Sequence, residues 1–553
     1  MGANAWSARR KAAAADQTYD FVIVGAGSAG SVVAERLSAG GRFSVLMLEA
    51  GGTDRRFFVQ MPLGYGKTFY DPRVNWNFLA EPDPGLAGNA DHWPRGKVLG
   101  GSSSINAMVW IRGHPADYDE WRERGNPGWG FSDLLPLFKA LEDNEAGADA
   151  WRGRGGPLHV SDNREKIHPL TRHFLQAAQA IGLTLNPDFN GREQEGVGVY
   201  QTTIKDGRRM SAARAFLRPA MRRPNLRVEA NAHATRVLFE DGRAVGVEYM
   251  RNGRLARVRA GREVVLCTGA VSTPHLLQLS GVGPAALLRE HGLAVVADRP
   301  AVGKNLSDHQ GVNYTWRAKL PTLNQILGPW WGKARVGAEY LLLRRGPLAM
   351  SMNQGGGFFR TSPEHGRPNM QLYFQAFSTV LPRPGERPIL SPDPWPGFSI
   401  GLSNCRPTST GAVSLRSADP FAAPKIVANA YSTNEDVSEM LDAVKFLRRI
   451  AAQEPIAEVI AEEVLPGAER QTDDALVDDL RRRSGTVYHP SGTCRMGPEA
   501  SDAVVDPRLK VHGLRGLRVV DASIFPNNVS GNINAASIVT GAKGAALMLE
   551  DQA

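Results

Sequence analysis

The stretch VYHPSGTCRMG, Val487 to Gly497, sets His489 against Pro490 and places Cys494 five positions on. From residue types alone, His489 could act as a general base, ligate a metal, activate a cysteine nucleophile or pack as a buried structural residue. An imidazole with an unperturbed pKa of about 6.5 suits proton transfer near neutrality. A metal site needs companions at ligand spacing. None of the 12 histidines supplies them, and Cys267, Cys405 and Cys494 lack paired spacing, so no metal is expected. Nothing local supports Cys494 as a nucleophile, and a small packed residue is the favoured reading.

A second chemistry lies near the start, in YDFVIVGAGSAGSVVAERLSAGGRFSVLMLEAGG. The apolar run Phe21 to Val24 meets Gly25, Gly27 and Gly30 in GxGxxG order, and a helix-forming stretch follows. The first glycine permits a tight turn, the second admits a pyrophosphate close to the backbone, and the third lets helix and strand pack. The helix N-terminus adds attraction for phosphate charge. A second apolar run, Val45 to Leu48, ends at Glu49, where a carboxylate can accept hydrogen bonds from an adenosine ribose. Glu49 argues against a 2′-phosphate and so against NADP; these residues leave NAD and FAD both open. A third segment, WPRGKVLGGSSSINAMVWI, Trp93 to Ile111, lines up Gly100, Gly101, Ser102, Ser103 and Ser104 before Asn106. Such a run frees backbone amides to face a ligand. It leads straight into the apolar stretch Ala107 to Ile111, so the loop is expected to enter the interior.

These segments need elements to hold them. At 553 residues the chain exceeds the roughly 250–300 at which single cores stop growing, so two domains are expected. Hydrophobic residues at 42% and charged residues at 22% mark a globular chain, excluding a tail or fibre. The formal charge of +9 is not concentrated. Arg481 to Arg483, and Arg344 with Arg345, read as solvated helix ends rather than nucleic-acid or lipid patches. Leu226 to Val228, Arg236 to Phe239 and Ala244 to Tyr249 alternate as a small antiparallel sheet would. Glu263 to Cys267 reads as a buried strand, with Pro274 near the first turn of the next helix. Between about Val312 and Arg483, candidate strands at Met370 to Ala376, Ser399 to Ser403 and Gly411 to Leu415 precede an amphipathic helix near Val437 to Ala452. Asp521 ends a strand in the final segment. The expected class is α/β (α+β): a Rossmann-like nucleotide domain of residues 17–160, 220–312 and 484–553, interleaved with a sheet-plus-helices substrate domain of 161–219 and 313–483. Residues 1–16 are expected to be a disordered tail. Three cysteines fit a reducing, cytoplasmic compartment. With no apolar run of eighteen residues, membrane contact is expected to be peripheral at most.

With these blocks assembled, the chain resembles the glucose-methanol-choline oxidoreductases, FAD-dependent enzymes that oxidise alcohols. The likeness runs from about Tyr19 to the end. It rests on GAGSAG with Glu49, RGKVLGGSSSIN (Arg95 to Asn106), GAVSTPHLLQLSGVG (Gly269 to Gly283), VGKNLSDH (Val302 to His309), YHPSGTCRMG (Tyr488 to Gly497) and VVDASIFPNNVSGNINAAS (Val519 to Ser537). The resemblance selects FAD over NAD. It implies that His489 is the catalytic base facing the flavin and that Asn532 is the second active-site residue, able to donate to a developing alkoxide without changing charge. It assigns cofactor contacts to Gly25, Gly27, Ser28, Ala29, Gly30, Glu49, Ala50, Arg95, Gly100, Gly101, Ser104, Asn106, Ala107, Met108, Val109, Val237, Asp521, Ala522, Asn532 and Ile533. Met496 is expected with Met108 and Val109 beside the ring system, and His309 as a structural histidine at a domain junction.

Departures narrow the implied substrate. Some members attach FAD covalently to a histidine before the Asn of the Gly-Ser block; here that position is Ile105, implying noncovalent FAD. Choline-active members carry a glutamate shortly after the Asp-His pair, whereas this chain reads Asp308, His309, Gln310, Gly311. MPLGYGK near Met61, NWNF near Asn75 and DFNGREQEGVGVYQ from Asp188 look closest to bacterial aliphatic or polyether alcohol dehydrogenases of the family. The implied reaction is oxidation of a primary alcohol to an aldehyde by hydride transfer to flavin N5, with electrons passed to a quinone or other acceptor. The alternatives are choline dehydrogenase, an oxygen-using alcohol oxidase, a hydroxynitrile-lyase-type enzyme on the same fold, and a basic module binding nucleic acid or anionic lipid, against which the glycine and histidine blocks argue. No nucleic-acid partner is expected.

Overall fold

The computed structural model describes residues 17–379 and 391–553; the expected tail 1–16 lies outside the described residues. Two seven-stranded sheets dominate it. In the first, strand Gln17–Val24 lies between Val45–Leu48 and Arg254–Leu266, parallel to both. Phe21 to Val24 and all of Val45–Leu48 are buried, as an apolar run must be when both faces of a parallel sheet are covered. Leu517–Val519 joins the end of Arg254–Leu266 in parallel. The first half of that long strand also pairs antiparallel with Arg243–Arg251, which pairs antiparallel with Ala232–Glu240.

Leu226–Glu229 departs from expectation: it forms the parallel edge beside Val45–Leu48 rather than joining a separate antiparallel sheet. The cause lies one residue earlier. The Asn225 side-chain amide donates to the carbonyls of Ser38 and Phe43, and the Asn225 carbonyl accepts from the Val45 amide at 2.8 Å, so the strand is anchored before its register begins. Pro274 falls in the second turn of helix Gly269–Leu279, not its first. Helix Ser28–Ser38 packs against the C-terminal helix Asn534–Glu550. Their approach is so close that a Cβ on Gly541 would lie 2.5 Å from the Ala29 carbonyl oxygen, which explains the small residues of both.

The second sheet is antiparallel throughout, in the order Ile460–Leu465, Gln310–Ala318, Gly397–Asn404, Met370–Gln375, Gly355–Phe359, Gly196–Val199, with Gly485–Thr486 also on Gln310–Ala318. Its alternation separates two faces. Val312, Tyr314, Trp316, Leu372, Phe374, Phe398 and Ile400 pack with helices Pro169–Ala180 and Asn434–Ala451. The intervening Asn313, Thr315, Tyr373, Gln375 and Ser399 face a cavity shared with the first sheet. Helix Asn434–Ala451 starts three residues before the expected Val437 because the Thr433 side chain caps it, accepting from the Asp436 amide. Among the described residues no helix is long and apolar enough to cross a membrane.

Candidate active site

The cavity lies at the carboxyl ends of the parallel strands, where open α/β sheets bind ligands. At about 1650 Å³ it exceeds the roughly 300–1,000 Å³ of ordinary small-molecule pockets. Gly25, Gly27, Ser28 and Ala29 line one end. Gly25 has φ +100, and a Cβ there would meet the Cys267 carbonyl oxygen at 2.5 Å, so only glycine makes this turn without strain. The second glycine-rich loop lies directly on the first: the Gly100 amide donates to the Ala26 carbonyl at 2.8 Å, and a Cβ on Gly101 would meet Gly27 Cα at 2.7 Å. Glu49 braces the first loop. Its carboxylate accepts from the Ala26 amide at 2.9 Å and the Gly51 amide at 2.8 Å, while burial pushes its pKa up to about 7. Ala50 lines the same wall.

Four residues expected at the cofactor lie off the wall. Gly30 packs helix against turn, where a Cβ would meet the Gly25 carbonyl oxygen at 2.1 Å. Gly100 and Ser104 belong to the second loop but not to the cavity wall, the Ser104 hydroxyl donating to the Leu99 carbonyl at 2.7 Å. Val237 is displaced by one strand segment: its amide donates to Ser280 Oγ, and the strand residues that reach the cavity are Ala232, His233 and Ala234. Burial pushes His233 down to about 4, so it is neutral, and its Nε2–H donates to the Pro420 carbonyl at 3.1 Å. No spacing in the sequence pointed to it. Met496 is buried in the core of the first sheet, away from the cavity.

Asn106, Ala107, Met108 and Val109 form the middle of the wall, with Ile105 beside them. Met108 has φ +64, an uncommon conformation for a side-chain-bearing residue. It is held by its amide to Asn106 Oδ1 at 3.1 Å and its carbonyl to the Thr203 amide at 2.9 Å. Asn106 Oδ1 also accepts from Arg209 Nη1 at 2.7 Å. Sequence reasoning overlooked Arg209, a buried guanidinium that also donates to the carbonyls of Val59 and Ser103; burial pushes it down to about 9. Asp521, Ala522, Asn532 and Ile533 complete the wall. Asp521 is committed to structure, accepting from the Gly269 amide at 2.8 Å, the Thr273 hydroxyl at 2.6 Å and the Ser523 amide at 2.8 Å.

His489 closes the far end. Tyr488 takes φ +72, and the turn is fixed from both sides. Asp308 accepts from the His489 amide at 2.8 Å and from the Thr486 hydroxyl, the Asn528 side-chain amide donates to the His489 carbonyl at 3.0 Å, and Arg95 donates to the Tyr488 carbonyl at 2.8 Å. His309, expected to be purely structural, lies directly behind the imidazole. Its Nε2 is 2.9 Å from the Cys405 carbonyl oxygen and its Nδ1 is 3.0 Å from His489 Nδ1.

The tautomers follow from these partners. A carbonyl only accepts, so His309 carries its proton on Nε2. Neutral His309 then accepts at Nδ1, which makes His489 the donor from its own Nδ1. His489 Nε2 is therefore unprotonated, its lone pair accepting from Asn532 Nδ2 at 3.0 Å. Asn532 is oriented in turn by Gln371, whose Nε2 donates to Asn532 Oδ1 at 3.2 Å, and Gln371 Oε1 accepts from the Tyr373 hydroxyl at 2.6 Å. Burial, then His309 and Arg95, hold His489 well below the usual imidazole range, so it stays neutral. Burial likewise holds His309 down at about 4. The Cys494 thiol is buried and pushed well above its ordinary value. Among the described residues no three His, Cys, Asp or Glu side chains could hold a metal ion. A lone pair beside an amide donor can take a hydroxyl proton while the amide meets the oxygen.

Comparison with known proteins identifies the family. The N-terminal model of the GMC oxidoreductase family matches residues 19–311, and its C-terminal model matches 407–541. An alcohol dehydrogenase [acceptor] of Pseudomonas putida is 43% identical over 96% of both chains. An oxygen-dependent choline dehydrogenase of Rhizobium johnstonii is 42% identical, also over 96% of both. The crystal structure of pyridoxine 4-oxidase from Mesorbium loti superposes with TM-score 0.86 at 31% identity, covering 96% of this chain and 99% of that one. The chain belongs to the GMC oxidoreductase family and is an FAD-dependent oxidoreductase with an α/β fold.

Proposed function

We propose that the protein oxidises an uncharged primary alcohol to its aldehyde, with His489 as base, and passes the electrons to a quinone or another acceptor. The observation that carries the reading is the hydrogen-bond chain from the Cys405 carbonyl through His309, which leaves His489 Nε2 unprotonated and aimed into the cavity beside Asn532. His489 Nε2 takes the hydroxyl proton. The hydroxyl replaces Asn532 Nδ2 as the donor to Nε2, and the amide hydrogen so released meets the developing alkoxide, stabilising charge where it appears. Asp308, Asn528 and Arg95 hold the base by its main chain, and the alternating face of the second sheet presents Asn313, Thr315, Tyr373, Gln375 and Ser399, none of them charged, toward the cavity.

The residues fit FAD. The cavity has room for a dinucleotide and a substrate, the two glycine loops supply a main-chain cradle, and Glu49 retains acceptor capacity beyond its two amide partners. Bound there, FAD supplies the hydride acceptor. Ile105 offers no nucleophile for covalent attachment, which supports noncovalent binding. On this reading residues 17–160, 220–312 and 484–553 form the cofactor domain and 161–219 and 313–483 the substrate domain, in a cytoplasmic protein whose contact with the inner membrane is peripheral.

Choline oxidation is the competing reading, favoured by the relatives named choline dehydrogenase. Against it, Gly311 lines the cavity without a carboxylate, and a Cβ there would lie 2.5 Å from Val487 Cγ1. Anaerobic mixing of the purified protein with a panel of primary alcohols and with choline, followed at the visible flavin band, separates them. Bleaching by uncharged alcohols and not by choline is expected. Bleaching chiefly by choline overturns the substrate assignment, and a yellow protein that neither reduces overturns the reaction. Readmitting oxygen with and without a quinone then identifies the acceptor.

A further inference from the structure

Helix Trp330–Leu343 is inverted relative to an ordinary surface helix. Its buried residues are Gly332, Val336 and Tyr340, a stripe at four-residue spacing. The opposite arc, which a surface helix normally fills with polar residues, consists of Trp330, Trp331, Ala334, Ala338, Leu341 and Leu342, every one of them exposed. Trp330 is 80% exposed and Leu342 81%. Contiguous apolar surface of this kind marks an interaction site.

Charge says what kind of partner fits. Lys333 and Arg335 are exposed along the two borders of the apolar arc, and Arg344 and exposed Arg345 follow the helix directly. Arg208 and Arg214 lie close enough to Tyr340 to act on its hydroxyl electrostatically. Among the described residues, Glu339 on the helix and Asp206 near Arg214 are acidic groups at this surface. Tryptophan and leucine on one arc with lysine and arginine at its edges is the pattern of a helix lying in the interface of an anionic bilayer. A second copy of this chain fits poorly, because an isologous contact would bring two sets of these cations together.

The site's position gives the surface a use. Lys333, Val336, Gly337 and Leu341 also line the active-site cavity, as do the half-exposed Phe57 and Phe58, and the Phe57 ring packs edge-on against Tyr340 with centroids 6.1 Å apart. We propose that this face seats the protein on bilayers containing anionic phospholipid, with the wall of the active-site cavity at the membrane surface. The proposal rests on the proposed function only in placing the protein at a membrane.

The test mixes the flavin-loaded protein with sedimenting vesicles of phosphatidylglycerol and phosphatidylethanolamine, and with vesicles of phosphatidylcholine alone. The wild type is expected to pellet with the anionic vesicles and to remain in solution with the zwitterionic ones. Salt at about 1 M, where the Debye length falls to about 3 Å, is expected to weaken that binding. The double variant Trp330→Ser, Leu342→Ser, at two positions off the cavity wall, is expected to bind anionic vesicles about tenfold less, with flavin content and turnover of a short water-soluble alcohol unchanged. Wild-type protein that stays in solution with both vesicle types overturns the proposal, as does a variant that pellets like the wild type. A dimer in light scattering that the variant converts to monomer assigns the face to a second copy and also overturns it. Sedimentation reads no turnover, so its failure leaves the alcohol chemistry standing, and failure of the alcohol chemistry leaves the vesicle result intact.

Discussion

At the glycine end of the cavity the surface offered to a ligand is largely main chain: two glycine loops in contact and a carboxylate already pinned by two amides. At the histidine end it is side chains, each oriented by the next, running from the Cys405 carbonyl through His309, His489 and Asn532 to Gln371 and Tyr373. A main-chain cradle is specified by a short contiguous motif and tolerates almost no added atom. A side-chain relay draws on distant segments, and its members can be altered one at a time with graded loss. Substitutions at the two ends should therefore fail in different ways.

The largest effect is expected at Gly25. Gly25→Ala adds a Cβ 2.5 Å from a carbonyl oxygen at φ +100, on top of roughly 1–3 kcal/mol of backbone strain. It should yield protein with little or no flavin and a lowered Tm, measured by absorbance of the purified protein and by thermal unfolding; full flavin occupancy would erase the distinction between the ends. Asn532→Ala should keep its flavin and lower kcat about 10²-fold, the size of losing one preorganised donor, measured by steady-state turnover.

His309→Gln should have a smaller effect on rate, about tenfold, as for a residue that orients a reacting group through a hydrogen bond, and a distinctive effect on pH. His489 is held low by burial first and by His309 second. In the wild type the base is thus neutral well below about pH 6.5, and the acid limb of kcat/KM should lie below that value. Removing His309 removes one depressing influence, so the acid limb should move upward; a profile left in place would show that His309 does not act on the base. Cys405→Ala should change kcat less than about twofold, because His309 uses the backbone carbonyl and not the thiol; the buried site should cost roughly 1 kcal/mol in packing.

The same contrast explains what could be read before the structure. Gly25, Gly27 and Glu49 were legible because strand, turn, helix and acid follow one another within a single unit. Second-sheet strands such as Met370–Gln375 were visible through their apolar runs, but the value of their alternate polar residues was not, since nothing in sequence says that Gln371 meets Asn532. His489 and Asn532 were identified by resemblance, and no periodicity links either to His309. Leu226–Glu229 was misassigned because its alternation resembles its neighbours', while its partner was chosen by Asn225. The arginines after Leu343 read as solvated helix ends because the wholly apolar outward arc emerges only when Gly332, Val336 and Tyr340 are seen to be the buried side.

The central claim is that His489 Nε2 takes the hydroxyl proton of an alcohol. The most direct measurement is the rate of anaerobic flavin reduction by the best alcohol substrate, across pH, in the wild type and in His489→Ala with equal flavin content. The account predicts a rate about 10²–10⁴-fold lower in the variant, with the wild-type acid limb abolished. A variant that reduces its flavin within tenfold of the wild type and keeps the same pH profile would contradict it.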